Sequence, residues 1–237
     1  MLRELVKRVL PRLARTGPGK HVVHAALARD RTAERFPEVR HWPERIGGFE
    51  DLAFLFTSSQ LDHGVASLRF DEAALLYCLV RSLEPGARVV ELGRFKGGST
   101  VVMAAALPRG ASILSIDLDP VHDDELRAAL GRLGLGGVEL VVGNTQTSAL
   151  PDEPVDLLFV DADHGYEGAR ADVDRWAPLV RAGGHLLLHD AVDTGGWGTT
   201  YPGLQRLVAE LERDARFARQ RGAGTVAHFV RQETSEA

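Results

Sequence analysis

With 237 residues, 44% hydrophobic and 26% charged, the chain has the composition of an ordinary folded protein. That excludes intrinsic disorder, collagen-like repeats and coiled coil, and leaves room for one domain with an appendage. A formal net charge of -5 argues against a nucleic-acid partner, and it is unevenly spread: residues 1–45 hold 11 Lys and Arg against 5 Asp and Glu (+6), leaving 17 against 28 (-11) for residues 46–237.

The N-terminus, MLRELVKRVLPRLARTG, has apolar residues at Leu2, Leu5, Val6, Val9, Leu10 and Leu13, but charge interrupts it too often for a signal peptide. It reads as a short basic amphipathic helix broken at Pro11, then a TGPGK loop, a second helix over His21–Arg35 and an irregular stretch over Phe36–Gly48. Residues 1–62 are expected to form a basic helical lid or oligomerisation segment, the latter making a homo-oligomer; binding to a membrane surface is the sharper reading of so basic a helix. Residues 63–237 are expected to form the main domain. No window approaches the ~18 apolar residues of a membrane span. The single cysteine, Cys78, allows no intrachain disulfide or thiolate zinc cluster and suits a cytoplasmic protein.

Phe70–Leu83 is a helix with an apolar stripe, stopped by Glu84-Pro85-Gly86. Strand-like runs then follow over Arg88–Leu92, Ser112–Ile116, Val138–Val142, Val155–Val160 and His185–Leu188. They alternate with helical runs over Ser99–Leu107, Asp123–Leu133, Gly168–Val180 and Leu204–Phe217. Alternation of this kind, with strands apolar throughout, marks an α/β fold whose mostly parallel sheet carries helices on both faces. Thr225–Val230 follows a long helix and is expected to close the sheet edge.

Ligands of such folds bind beyond the carboxyl ends of the strands, near the point where strand order reverses. The first end reads Val89-Val90-Glu91-Leu92-Gly93-Arg94-Phe95-Lys96-Gly97-Gly98-Ser99-Thr100. Phe95 stands where the dinucleotide fingerprint G-x-G-x-x-G requires its second glycine, and there is no G-K-[ST] phosphate loop. What remains is a carboxylate, Glu91, able to accept from a cationic or hydroxylated ligand, and glycines that let backbone pass close to it. A turn that needs glycine only for packing is the plainer reading. Lys96, one of three lysines, reads as a solvated loop charge. At the second strand end Asp117 stands 26 residues after Glu91, placed to take both hydroxyls of a ribose. The third end carries Asn144.

The fourth and fifth ends read FVDADHGY and HLLLHDAVD, placing Asp161 and Asp190 at the tips of consecutive strands. Neighbouring strands lie about 4.8 Å apart, and two carboxylates that close either raise a pKa or need a cation. Oxygen-rich coordination favours Mg2+, with Mn2+ or Ca2+ as alternatives. Capping of the following helices is the plainer use of both aspartates. Asp163, His164, His189 and Asp193 share the same two loops, His164 being the better candidate for chemistry and His189 a hydrogen-bonding neighbour of the strand end.

The glycine stretch resembles motif I of the class I S-adenosylmethionine-dependent methyltransferases. The run FVDADHGYEGARADVDRW with the later HDAVD is similar to the bacterial family that includes macrocin-type sugar O-methyltransferases and cephalosporin hydroxylase-like proteins, and more distantly to metal-dependent catechol and caffeoyl-CoA O-methyltransferases. The resemblance covers about Phe70 to Val230. It implies a Rossmann-like fold with a seven-stranded sheet and an N-terminal helical extension. It further implies S-adenosylmethionine bound by Glu91, Gly93, Gly97, Ser99 and Asp117, with Asn144 and Asp161 in contact, and a divalent metal on Asp161 and Asp190. Two departures stand out. Asn144 replaces the acid often found there, and Ala191 replaces the Asn of catechol-type enzymes, which makes Asp193 the candidate third ligand.

The reaction so implied is in-line methyl transfer to the hydroxyl of a small molecule, a sugar of a natural product or a catechol-like phenol, with Asp161 and His164 as catalytic residues. The unperturbed imidazole pKa of about 6.5 suits His164 to act as base. Trp197, Tyr201 and the glycines of Thr194–Gly203 are expected to form a substrate loop. A nucleotide-dependent oxidoreductase, disfavoured by the missing fingerprint, and a non-catalytic cofactor-binding protein of the same fold are the competing readings.

Overall fold

The apolar runs fold into five adjacent parallel strands: β1 (Arg88–Leu92), β2 (Ser112–Asp117), β3 (Val138–Val142), β4 (Val155–Val160) and β5 (Val180–Leu188). The computed structural model describes residues 45–55, 65–194 and 201–233, so the expected N-terminal helices and residues 195–200 of the substrate loop lie outside the described residues. Among the described residues five α-helices accompany the strands: α1 (Phe70–Arg81), α2 (Gly98–Ala106), α3 (Asp123–Leu133), α4 (Tyr166–Trp176) and α5 (Pro202–Leu211). With β6 (Phe217–Ala223) and β7 (Val226–Arg231), the sheet has seven strands in the order β3-β2-β1-β4-β5-β7-β6. No helix among the described residues is long and apolar enough to cross a membrane.

Strand order runs one way from β1 to β3 and the other way from β4 to β5. Right-handed crossovers therefore place α2 and α3 on one face and α4 on the opposite face, with the reversal between β1 and β4. The core between the sheet and α4 and α5 is built on Trp176, Leu158, Leu207 and Phe229, all fully buried. Trp176 also donates its Nε1–H to the Thr145 carbonyl at 2.8 Å, so its polar edge is satisfied inside.

Three expectations about the C-terminal part are corrected. The last strand does not close the sheet: β7 lies between β5 and β6, antiparallel to both, and β6 forms the edge. The helix expected over Leu204–Phe217 ends at Leu211, and Phe217 instead opens β6. The polar run Arg219-Gln220-Arg221 conceals that strand in the sequence, yet charged side chains are what an exposed edge strand carries. Finally, β5 begins at Val180 rather than His185, the pairing with β4 being irregular between Val155 and Leu157.

Candidate functional site

Register places the first functional carboxylate. Glu91 on β1 pairs with Ser115 on β2, and it is fully buried. The Ser99 and Thr100 hydroxyls, from the first turn of α2, donate to it at 2.5 Å each, and the Ser115 hydroxyl at 2.6 Å. Burial pushes the Glu91 carboxyl up to about 7, against the pull of the three hydroxyls. Both oxygens are thus engaged beneath the glycine loop, and the Glu91–Ser99 contact fastens the loop to the sheet.

The loop has little freedom above this anchor. Gly93 has φ +87°, and a Cβ there would stand 2.3 Å from the Asp161 carbonyl oxygen. Gly97, φ +80°, is the N-cap of α2, and Phe95 between them also has positive φ, +48°. At Gly98 a Cβ would stand 2.2 Å from Ala66 Cα, so the Val65–Ala66 backbone lies directly on the helix start. Asp117, half-buried at the β2 tip, accepts the Arg94 and Phe95 backbone N–H groups at 2.8 and 2.9 Å. Asn144 is exposed and accepts the Gln146 N–H at 2.8 Å, forming a local turn.

Two loop side chains are unlike their sequence reading. Lys96 is only 8% exposed, its Nζ 5.1 Å from the centre of the Phe95 ring, so it is not a solvated charge. Arg94, passed over in the sequence, is buried and donates through Nε and Nη2 to both Asp123 oxygens, at 2.8 and 2.7 Å. Its Nη1 reaches the Ser115 and Val141 carbonyls, tying the loop to β2, β3 and α3. The only hint in the sequence is an arginine in the loop with an acidic first turn, Asp123-Asp124-Glu125, one helix later. A small pocket is lined by Val65, Leu68, Phe95, Lys96, Ser99 and Asp161, so the β4 tip forms one wall of the glycine-loop pocket.

On the far side of Asp161 lies a cluster of charges. β4 and β5 are adjacent with Val160 opposite Leu188, which brings the residues after them together. His164 Nε2 lies 3.2 Å from Asp190 Oδ2 and 3.6 Å from Asp161 Oδ1. His189 Nδ1 faces Asp161 Oδ1 at 3.0 Å, and its Nε2 faces Glu72 Oε2 of α1 at 3.2 Å. Asp190 has positive φ, +53°, an uncommon backbone state for a residue with a side chain. The Asp161, His164 and His189 ligand atoms lie within 4.8 Å of one another. Asp190 is not in that group, nor is the exposed Asp193, so the group joins one carboxylate to two imidazoles.

The electrostatics set the pH range in which His164 can act as a base. Burial alone would lower its pKa, but hydrogen bonds to Asp161 and Asp190 outweigh this and raise it to about 9, so the ring is an imidazolium at neutral pH rather than a free base. Burial likewise works against ionising Asp161, yet His189 and His164 hold it down to about 2. The Tyr201 ring stands 4.4 Å from that of His164, tilted by 37°.

Residues 90–191 match the model of a methyltransferase domain. The catechol O-methyltransferase of Niastella koreensis is 27% identical over 169 residues, covering 68% of this chain and 75% of that protein. A protein of Mycobacterium sp. strain KMS whose name places it among the O-methyltransferases is 30% identical over 172 residues, covering 65% and 74%. Among solved structures, the Podospora anserina methyltransferase PaMTH1 bound to SAH aligns with TM-score 0.59 and 21% identity, over 78% of this chain and 86% of that one. The O-methyltransferase TomG of Streptomyces achromogenes, in complex with SAM, gives TM-score 0.55 and 20% identity over 72% and 83%. The methyltransferase match and the O-methyltransferase relatives set the oxidoreductase reading aside. The chain belongs to the class I S-adenosylmethionine-dependent O-methyltransferases.

Proposed function

We propose that the protein transfers the S-adenosylmethionine methyl group to a hydroxyl of a small, planar, catechol-like acceptor at the tips of β4 and β5. The observation that carries this reading is the position of Asp161, which lines the glycine-loop pocket and also faces His164 and His189. Cofactor and acceptor chemistry thus adjoin at one carboxylate.

The residues fit the cofactor: Gly93 and Gly98 stand where a Cβ would collide with backbone, and Asp117 offers a carboxylate at the β2 tip. Asn144, at the β3 tip, is proposed to reach the far end of the cofactor. S-adenosylmethionine supplies an already activated methyl, so the protein has to align the acceptor oxygen and receive its proton. His164, in its neutral form, takes the hydroxyl proton, and Asp161 and Asp190 on either side of it hold the imidazolium that results. Tyr201, against His164, gives the acceptor side a flat wall suited to an aromatic ring. This favours a phenol over a sugar, in keeping with the name of the Niastella relative.

Asp161 and Asp190 are proposed as the carboxylates that would hold a divalent cation, Mg2+ by their oxygen chemistry, which would lower the pKa of a coordinated acceptor hydroxyl. The -11 charge of residues 46–237 supports a small-molecule acceptor over a nucleic acid. Residues 1–62 are proposed as a lid or oligomerisation segment, and the protein as cytoplasmic. The acceptor class is tested by incubating the protein and methyl-labelled S-adenosylmethionine with 3,4-dihydroxybenzoate or with a simple methyl glycoside. Label is expected on the catechol, and label on the glycoside alone would reverse the assignment.

A further inference from the structure

The charged groups at the strand tips are not a loose cluster but a closed ring of contacts. Glu72 Oε2 meets His189 Nε2 at 3.2 Å, and His189 Nδ1 meets Asp161 Oδ1 at 3.0 Å. Asp161 Oδ1 faces His164 Nε2 at 3.6 Å, which lies 3.2 Å from Asp190 Oδ2. The Thr225 hydroxyl donates to Glu72 Oε1 at 2.8 Å and accepts the Asp190 backbone N–H at 3.3 Å, with Asp190 Oδ1 3.1 Å away. The ring draws on four parts of the fold: α1, the two loops after β4 and β5, and the turn between β6 and β7.

Glu72 is the one acid of this ring shut away from any ligand, 1% exposed, whereas the Asp161 and Asp190 side chains keep 23% and 27%. Each Glu72 oxygen has fixed partners. Oε1 accepts the Thr225 N–H at 2.7 Å as well as its hydroxyl, and Oε2 accepts the Arg69 N–H at 2.7 Å. So complete a set leaves the carboxylate a single orientation, and Oε2 then meets only one edge of the His189 ring. The His189 ring is itself only 8% exposed. Its other nitrogen must point at Asp161. The imidazole–carboxylate pairing follows the logic by which an orienting acid fixes the ring of a catalytic histidine.

The geometry points to Glu72 as a positioning residue of the methyl-transfer site: by holding His189 through Nε2 and the β6–β7 turn through Thr225, it fixes the orientation of Asp161 and Asp190. It touches neither cofactor nor acceptor. The inference rests on the reading that Asp161 and Asp190 face the acceptor, but its test needs no acceptor.

The test is the histidine side-chain 15N spectrum of the full chain, with the His189 signals identified by their loss in His189→Gln. In the unsubstituted protein the His189 Nε2 is expected to carry a hydrogen-bonded N–H group directed at Glu72. In Glu72→Gln the Nε2 signal is expected to change, while S-adenosylmethionine affinity stays within about threefold. A bare Nε2 in the unsubstituted protein would overturn the proposal whether or not the variant folds. An unchanged His189 spectrum in folded Glu72→Gln would overturn it equally. Absence of methyl transfer to every acceptor tried would count against the functional reading alone, since it leaves these spectra as they are.

Discussion

His164 Nε2 faces Asp190 Oδ2 at 3.2 Å across the tips of β4 and β5, so the ring is held as a cation between two carboxylates. Because its folded pKa, about 9, lies above the ordinary 6.5, its ion pairs stabilise the fold fully below about 6.5 and the contribution is lost as pH rises through about 9. The proton-accepting form gains population over the same interval. Methyl transfer is therefore expected to climb toward alkaline pH with an apparent pKa near 9. A pH–rate profile checks this, and His164→Gln is expected to lose that limb and about 100-fold in rate.

Glu91 gives the same direction at lower pH, from the interior of the sheet. A carboxyl raised from 4.5 to about 7 favours folding when protonated, so its contribution is present below about 4.5 and is lost as pH rises through about 7. Glu91→Gln is expected to remove that part of the decline, up to about 3 kcal/mol between the two limits. Urea unfolding of both proteins at either end of the interval measures the difference.

Arg94 and Asp123 form the buried ion pair that pins the glycine loop. Removing one partner leaves a buried charge, and Arg94→Met is expected to cost about 3–5 kcal/mol of stability. Glycine-loop displacement should weaken S-adenosylmethionine binding as well. Thermal unfolding and calorimetric titration read the two effects separately. Asp123→Asn is expected to reproduce the direction of both.

Gly98→Ala places a methyl group against the Ala66 and Val65 backbone, which cannot move aside as a flexible side chain would. A loss of about 1–3 kcal/mol is expected. Gly131→Ala, on the open surface of α3, is the matched control and should be neutral or stabilising. Denaturant midpoints decide it.

Much of the fold was legible because the parallel strands are apolar throughout and glycine or proline punctuates them. Asp117, Asp161 and Asp190 could be placed at strand tips for that reason. The remainder was hidden by physical causes that differ from residue to residue. β6 is polar because it is an edge, so its sequence carries no alternation. Glu91 reads as a ligand contact, and only the pairing of β1 with β2 shows that the Ser115 hydroxyl also donates to it. Glu72 reads as a helix-start acid, and it does accept the Arg69 N–H. Its partner His189 lies 117 positions away.

The most direct measurement is single-turnover transfer of labelled methyl from S-adenosylmethionine to 3,4-dihydroxybenzoate by the unsubstituted protein and by Asp161→Asn, with cofactor affinity measured on both. The account predicts a methyl ether from the former, and from Asp161→Asn a rate lower by about 100-fold or more with affinity changed by less than about tenfold. Equal rates in the two proteins would contradict it, as would cofactor binding by the unsubstituted protein with no label on the hydroxyl.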